Sequence, residues 1–339
     1  MTSAREPVLL GLDIGGTKLG VCVGTRDGRI LSSARVGADH TVGPEAVLSR
    51  CKTELDALLA RVGPRPIIAG LGCACPGPFD YATGKFINPP NNPGWHGFDL
   101  RSWLAANFSC PCTIMNDANA AALAEWLWGA ARGTSTAVFL TMSTGMGSGL
   151  IIDGRLYEGP GGLAGEIGQI RLIPGDNGPV GFGKRGSVEG FLSGPGMRQL
   201  AVQEAIICRQ LQRPSRLRDL FERTGDVTTE QLCQAAREGD AAARRVTDRV
   251  ALELGRLCAI MTDILNPDVF VVGTIGSVYP DLFLPGALAE LVREAIPDSA
   301  RRVRIVPSGF DPKNRGDAQS LAAATKLAKV GTTTHGAGR

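Results

Sequence analysis

The chain has 339 residues, 43% of them hydrophobic and 20% charged, with a formal net charge of +3; this is enough apolar material for two cored domains and too balanced a charge for a nucleic-acid binder. No apolar run reaches the length of a membrane span, and "MTSAREPVLLGLDIGG" lacks the layout of a signal peptide, because its apolar stretch runs straight into a glycine turn. The expectation is a globular cytoplasmic protein with no membrane or nucleic-acid partner, its nine cysteines reduced rather than paired.

Strands are expected at "VLLGLD", "LGVCVGT" and "DGRILSSARV", the first two joined by the turn "IGGTK" as an antiparallel meander. Apolar residues at helical spacing predict a helix over 45–62, and "PIIAGLGCACPG" reads as a strand that ends in a Pro-Gly turn. "INPPNNPGWHG" is dense in Pro, Asn and Gly and reads as a loop; a short amphipathic helix from Leu100, the strand "CTIMN" and a helix from Asp117 follow. Cys73 with Cys75, and Cys110 with Cys112, sit two apart in extended runs and so share a side; small apolar packing and a metal clip are the alternative uses.

From Thr136 the pattern repeats: "AVFLTM", the glycine-rich "STGMGSG" and "LIIDGRLYEG" follow the same strand, turn, strand order. Two related halves are expected, each a mixed sheet covered by helices. Beyond them come a long periodic helix over 240–265, a buried strand "DVFVVGT", a helix after Pro280, a strand "VRIVPS" and a last helix over 316–330. The tail 331–339 is expected to be disordered.

Three glycine elements concentrate the chemistry. In "DIGGTK" the glycines let backbone N–H groups converge on an anion, Thr17 adds a hydroxyl, and Asp13 at the strand end suits a hydrated Mg²⁺; an ordinary hairpin with a capping Asp is the alternative. "STGMGSG" is a second such turn, and two at equivalent places in two halves suit a polyphosphate clasped between domains. "VVGTIGS" follows a buried strand and precedes a helix, as nucleotide crevices do. No helix-opening P-loop pattern occurs. Asn116 and Asp117, at a strand end before an alanine-rich helix, read as an N-cap, a role compatible with accepting a hydroxyl proton.

In order along the chain, "LDIGGTK", "CPGP", "PNNPGW", "MNDANAAALAEW", "TMSTGMGSGLIIDGRLYEGPGGLAGEIGQI", "GSVEGFLSG" and "LNPDVFVVGT" resemble the ROK family of sugar kinases, which includes bacterial glucokinases and N-acetylhexosamine kinases. The resemblance implies an α/β fold of two actin-like, hexokinase-like (ribonuclease H-like) domains, with a cleft between them for ATP and sugar. The smaller would comprise 1–116 with 316–330, the larger 117–315. It further implies Asp117 as general base, with Asn116, Asn91 or its neighbour Asn92, Pro76, Gly77, Glu166 and Glu189 at the sugar. Gly15, Gly16, Thr17, Lys18, Thr144, Gly145, Gly273 and Thr274 would hold the nucleotide, with Mg²⁺ near Asp13 through water, and the assembly would be a homodimer.

This chain departs from the family's pattern at one metal site. Gln169 stands where the family has a zinc-binding histidine, and Val180, Phe182 and Ser187 replace its three cysteines, while Gly183, Gly186 and Glu189 keep register. Loss of all these ligands together predicts a loop that folds without zinc, with Phe182 and Val180 packing in its place. Ser143 and Thr274 stand where glycines are usual and would crowd the nucleotide. The readings are a kinase for the 6-hydroxyl of glucose or a close analogue, a kinase for an N-acetylhexosamine, or a non-catalytic sugar sensor, with ATP or polyphosphate as donor. A family repressor would need a helix-turn-helix module before the first strand, where seven residues precede Val8.

Overall fold

The computed structural model describes residues 6–329 apart from 40, 65, 90, 91, 176 and 313; Asn91 and the expected tail 331–339 lie outside the described residues. The first elements are β1 (Val8–Ile14), β2 (Lys18–Gly24), β3 (Ile30–Gly37), α1 (Gly43–Val62), β4 (Ile68–Cys75), β5 (Phe79–Asp80), β6 (Lys85–Phe86), α2 (Leu100–Asn107), β7 (Cys112–Asn116) and α3 (Asp117–Trp128). The second round runs β8 (Ala137–Met142), β9 (Met146–Ile152), β10 (Arg155–Tyr157), β11 (Val180–Gly181), β12 (Lys184–Arg185), α4 (Val188–Leu192), α5 (Gly194–Gln210), α6 (Arg216–Thr224), α7 (Thr229–Arg237) and α8 (Ala241–Leu265). It ends with β13 (Val269–Thr274), α9 (Ile275–Val278), α10 (Pro280–Glu294), α11 (Pro297–Ala300), β14 (Arg304–Pro307) and α12 (Arg315–Thr325). No described helix is long and apolar enough to cross a membrane.

The described residues of Met1–Gly129, Glu158–Leu163 and Lys313–Arg339 form one compact unit, and Ala130–Tyr157 with Ala164–Pro312 the other. Helix α3 lies against α12 inside the first unit, so the division falls after it, at Gly129 and Ala130, rather than before Asp117. Each unit holds a five-stranded mixed sheet, in the orders β3-β2-β1-β4-β7 and β10-β9-β8-β13-β14. In both, the first two pairings are antiparallel and the last two parallel. The two halves legible in the sequence are therefore one topology used twice.

In the first unit the period of two along β1 sorts residues onto two faces. Val8, Leu10, Leu12 and Ile14 join Val47, Leu48, Leu55 and Leu58 of α1 in one core. Leu9 joins Leu321 and Ala324 of α12 on the other side. Gly11 falls on that same face, and so does Asp13, its one carboxylate. Helix α12 can lie there only because the strands lack side chains beneath it: a Cβ at Gly11 would meet Ser320 Oγ at 2.3 Å, and one at Gly72 would meet the Ser320 carbonyl at 2.1 Å.

The hairpin of β5 and β6, unread in the sequence, is set by rings. Phe79 meets Phe86 edge-on at 5.0 Å and Phe86 meets Trp95 at 5.2 Å, which pins the Pro- and Asn-rich loop onto the hairpin. In the second unit, Asp240 caps α8 by accepting from the Ala243 N–H at 2.8 Å, and Asn266 closes it in the left-handed conformation.

Gly72→Ala is expected to destabilise the protein by roughly 1–3 kcal/mol, because helix backbone cannot move aside as a side-chain tip can. Gly37→Ala, where a Cβ meets nothing within 4 Å, is the control. Urea midpoints compare them, and equal midpoints would contradict the close packing.

Candidate active site

The parallel strands β1, β4 and β7 end at one edge of the first sheet, and the residues expected to carry chemistry gather there, as they do outside the carboxyl ends of strands in open α/β sheets. Asp13 pairs in register with Ala74, just before Pro76 and Gly77, and Cys75 pairs with Asn116. Gly77 is open around its Cα, where a Cβ would meet nothing. Asn116 caps α3: its side-chain oxygen accepts from the Ala118 N–H at 2.9 Å and the Asn119 N–H at 3.2 Å, which leaves its amide N–H₂ as the donor. Asp117, half-buried, is the first helical residue; one carboxylate oxygen accepts from the Ala118 N–H at 2.8 Å.

The turn over 15–17 is tight: a Cβ on Gly15 would meet the Lys18 carbonyl at 2.5 Å. Thr17 and Lys18 are exposed, and Gly16 is half-exposed. Asn92 does not stand at the surface. It is fully buried and gives its amide N–H to the Gly15 carbonyl at 3.2 Å, so it holds the turn in place.

A charge network that the sequence reading missed supports this edge. Arg35 of β3 makes two bonds to the buried Asp317 of α12, at 2.7 and 3.1 Å. A Cβ on Gly316 would fall 2.2 Å from Asp13 Oδ2, so the first turn of α12 closes over the Asp13 carboxylate. Burial, then the charges of Asp117 and Asp317, push Asp13 up to about 7, against the opposing pull of Arg35 and Arg315. Burial raises Asp317 as well, and lowers Arg315, which Glu125 and Asp13 hold charged. In the sequence Asp317 reads only as an acid at a helix start; its spacing from Asp13 and Arg35 hides the contact.

In the second unit the glycine turn is shorter than expected, since β9 begins at Met146 and leaves 143–145 between the strands. Glu189 is bound to it: one carboxylate oxygen accepts from the Met146 N–H at 3.2 Å and lies 3.0 Å from where a Gly145 Cβ would stand. Glu189 is raised chiefly by burial and also by the charge of Glu166, which burial raises in turn. Glu166, Glu189 and the Thr144–Gly145 turn thus lie together, and Gln169 ends the short 3-10 turn that follows Glu166. In the glycine turn, the Ser143 carbonyl accepts from the Gly194 N–H at 2.7 Å, which seats the start of α5.

Gly273 and Thr274 end β13. Thr274 adopts φ 50°, ψ −113°, a conformation favoured by glycine and costing a β-branched residue roughly 1–3 kcal/mol. Its hydroxyl lies 3.2 Å from that of Thr141 on β8, and its carbonyl accepts from Ser277 Oγ at 2.9 Å. The backbone has thus kept the geometry of the glycine while the side chain turns onto the sheet.

The expectation that Phe182 packs in place of zinc is corrected: Phe182 is 63% exposed, at a positive φ on the tip of the β11–β12 hairpin, where the turn aims its ring outward. Hydrogen bonds hold the loop instead. Gln199 of α5 clasps Val180, accepting its N–H at 2.9 Å and donating to its carbonyl at 2.8 Å. Ser187 caps α4 by accepting from the Gly190 N–H at 3.1 Å, and Lys184 Nζ donates to the Gln169 carbonyl at 2.7 Å. Gly186 donates to the Pro179 carbonyl and accepts from Leu172 and Ile173.

In the first unit the donor set fits a magnesium-bound phosphate: a turn without Cβ obstruction at Gly15 and Gly16, exposed Thr17 and Lys18, and a carboxylate at a strand end. Among the described residues no three His, Cys, Asp or Glu side chains converge to hold a metal unaided, so Mg²⁺ at Asp13 would take its remaining ligands from phosphate and water.

The protonation of Asp13 is testable without ligand. Its folded value near 7 exceeds the unfolded one of 3.8, so the folded state keeps a proton that the unfolded chain loses; the associated stability is full below about pH 4 and is lost as pH rises through 7. Asp13→Asn should therefore gain on the wild type between pH 5 and pH 8, by on the order of 1–2 kcal/mol in urea unfolding without Mg²⁺ or nucleotide. A gain by the wild type over that range would show Asp13 charged where it is buried.

The ROK family model matches residues 9–330. A glucokinase from Halalkalibacterium halodurans is 31% identical over 265 residues, covering 78% of this chain and 79% of that protein. An N-acetylmannosamine kinase from Shigella flexneri is 34% identical over 278 residues, covering 80% and 83%. Among solved structures, a ROK family glucokinase from Streptomyces griseus, in complex with glucose and AMPPNP, is 27% identical with a TM-score of 0.74 and covers 95% of this chain and 99% of its own. With a family model that matches nearly the whole chain and relatives above 30% identity over about four fifths of it, this chain belongs to the ROK family.

Proposed function

We propose that the protein is an ATP-dependent hexose kinase that phosphorylates the 6-hydroxyl of glucose or a close analogue, with Asp117 as the general base. The observation that carries this is the placement of Asp117: half-buried, at the end of β7 and the start of α3, one oxygen occupied by the Ala118 N–H and the charge of Asp13 within electrostatic reach. Relatives named glucokinase, and the Streptomyces griseus glucokinase solved with glucose and AMPPNP, support the substrate class.

Phosphoryl transfer depends on placement and charge neutralisation more than on covalent help. Bound ATP supplies the phosphoryl group, and Mg²⁺ near Asp13 would offset its charge. The residues of the first unit do the rest of the proton work: Asp117 accepts the hydroxyl proton, while Asn116 turns its amide donors toward the sugar. Taken by itself, the second unit carries groups of the same chemical kind: Glu166, Glu189 and Gln169 are acceptors suited to polyol hydroxyls, and the turn at Thr144 and Gly145 has backbone donors suited to phosphate. Gln169 cannot change charge near neutral pH as a histidine can, so it adds no charge change of its own there. The Shigella flexneri relative keeps an N-acetylhexosamine in view as an alternative acceptor.

Asp117→Asn and Asp117→Ala should lower kcat by about 10²–10⁴ while sugar binding and the unfolding midpoint stay near wild type. Initial rates with Mg-ATP, calorimetric sugar titration and urea curves test this together. Wild-type kcat in a variant that binds sugar normally would remove Asp117 from the role.

A further inference from the structure

Seven of the nine cysteines (22, 51, 73, 75, 208, 233 and 258) are buried, and burial pushes their thiols up; Cys51 and Cys233, for example, rise to about 12. Cys110 and Cys112 differ. Both are half-buried, and both line a cavity of about 910 Å³ formed with α2, Tyr81 and Gly162, which none of the candidate active-site residues lines. They flank Pro111 at the start of β7, on the outer edge of the first sheet, and the Pro111 carbonyl is fixed by the Leu71 N–H at 2.9 Å. The chain bends at Cys110, and Cys112 Sγ donates to the Cys110 carbonyl at 3.3 Å.

We propose that Cys110 and Cys112 form a redox modification site, a dithiol that closes to an intramolecular disulfide when a peroxide enters the cavity. A hydrogen bond between the two thiols lowers Cys110 to about 7 and raises Cys112, so Cys110 is the thiolate and Cys112 the resolving partner. A metal fits less well, since no third His, Cys, Asp or Glu among the described residues joins the pair.

The chemistry balances. The Cys110 thiolate attacks one peroxide oxygen, the O–O bond breaks, and the departing hydroxide takes a proton to become water, leaving a sulfenic acid at Cys110. The Cys112 sulfur then attacks the Cys110 sulfur; the S–S bond forms, the S–O bond breaks, and a second water leaves with the Cys112 proton. Two thiols are oxidised and one peroxide is reduced.

The test uses the whole protein, treated with stoichiometric hydrogen peroxide at pH 7, alkylated with iodoacetamide, digested and read by mass spectrometry. The expected result is a peptide spanning 110–112 that is lighter by two hydrogens, unlabelled, and restored by dithiothreitol, with the seven buried cysteines untouched. Before oxidation, Cys110 should alkylate at least about tenfold faster than any buried cysteine. Cys112→Ser should stop at a sulfenic acid trapped by dimedone, and Cys110→Ser should leave Cys112 reduced. A fully alkylated 110–112 peptide after peroxide, a sulfinic acid at Cys110 in the wild type, or earlier oxidation of a buried cysteine would overturn the proposal.

Discussion

Helix α12 meets β1 and β4 where the strands carry no side chain of their own, at Gly11 and Gly72, and from that close approach the rest of the first unit follows. The approach brings Gly316 onto the Asp13 carboxylate and Asp317 into two bonds with Arg35, so that a strand end and a helix start share one partly buried charge network. Such a network is costly to bury and costly to break: removing one partner leaves the other charge stranded, which fixes the geometry more than it adds stability. Asp117 stands within the field of that network, and Asn92 ties the glycine turn to an aromatic-packed loop. Asn92 thus holds the glycine turn, and Arg35 holds Asp317, from behind the site edge.

The second unit reaches a comparable end by other bonds. Where the family's cysteines and histidine would cross-link a loop through zinc, this chain has an amide clasp from Gln199, a serine helix cap and a lysine on a carbonyl. Several ordinary hydrogen bonds, each worth about 1 kcal/mol net, stand in for one strong centre. Glu189 is tied to the glycine turn by the Met146 N–H. Thr274 shows a similar economy, holding a glycine-like conformation and directing its hydroxyl to Thr141.

Much of the fold was legible because periodicity and glycine turns are local signals: the repeated strand order, the 240–265 helix and the buried strand before Thr274 could all be read along the chain. The candidate site could be proposed from the sequence for the same reason, since Asp13, Asp117, Glu166 and Glu189 sit in short motifs. What was not legible depends on contacts far apart in sequence. The Arg35–Asp317 pair joins residues 282 positions apart, and the Asn92 bond to Gly15 spans 77. Phe182 misled because hydrophobicity suggests packing, whereas the hairpin's backbone decides where the ring points. The β5–β6 hairpin was hidden by strands of only two residues, set by edge-to-face aromatic contacts rather than by alternation.

The central claim is that this carboxylate-lined edge transfers phosphate to a sugar hydroxyl. The most direct measurement is sugar-dependent ADP formation from Mg-ATP across a panel of hexoses and N-acetylhexosamines, with the phosphoester located by NMR. The account predicts turnover with glucose or a close analogue and a product esterified at the 6-position. Saturable binding of a hexose with no sugar-stimulated ADP anywhere in the panel would contradict it.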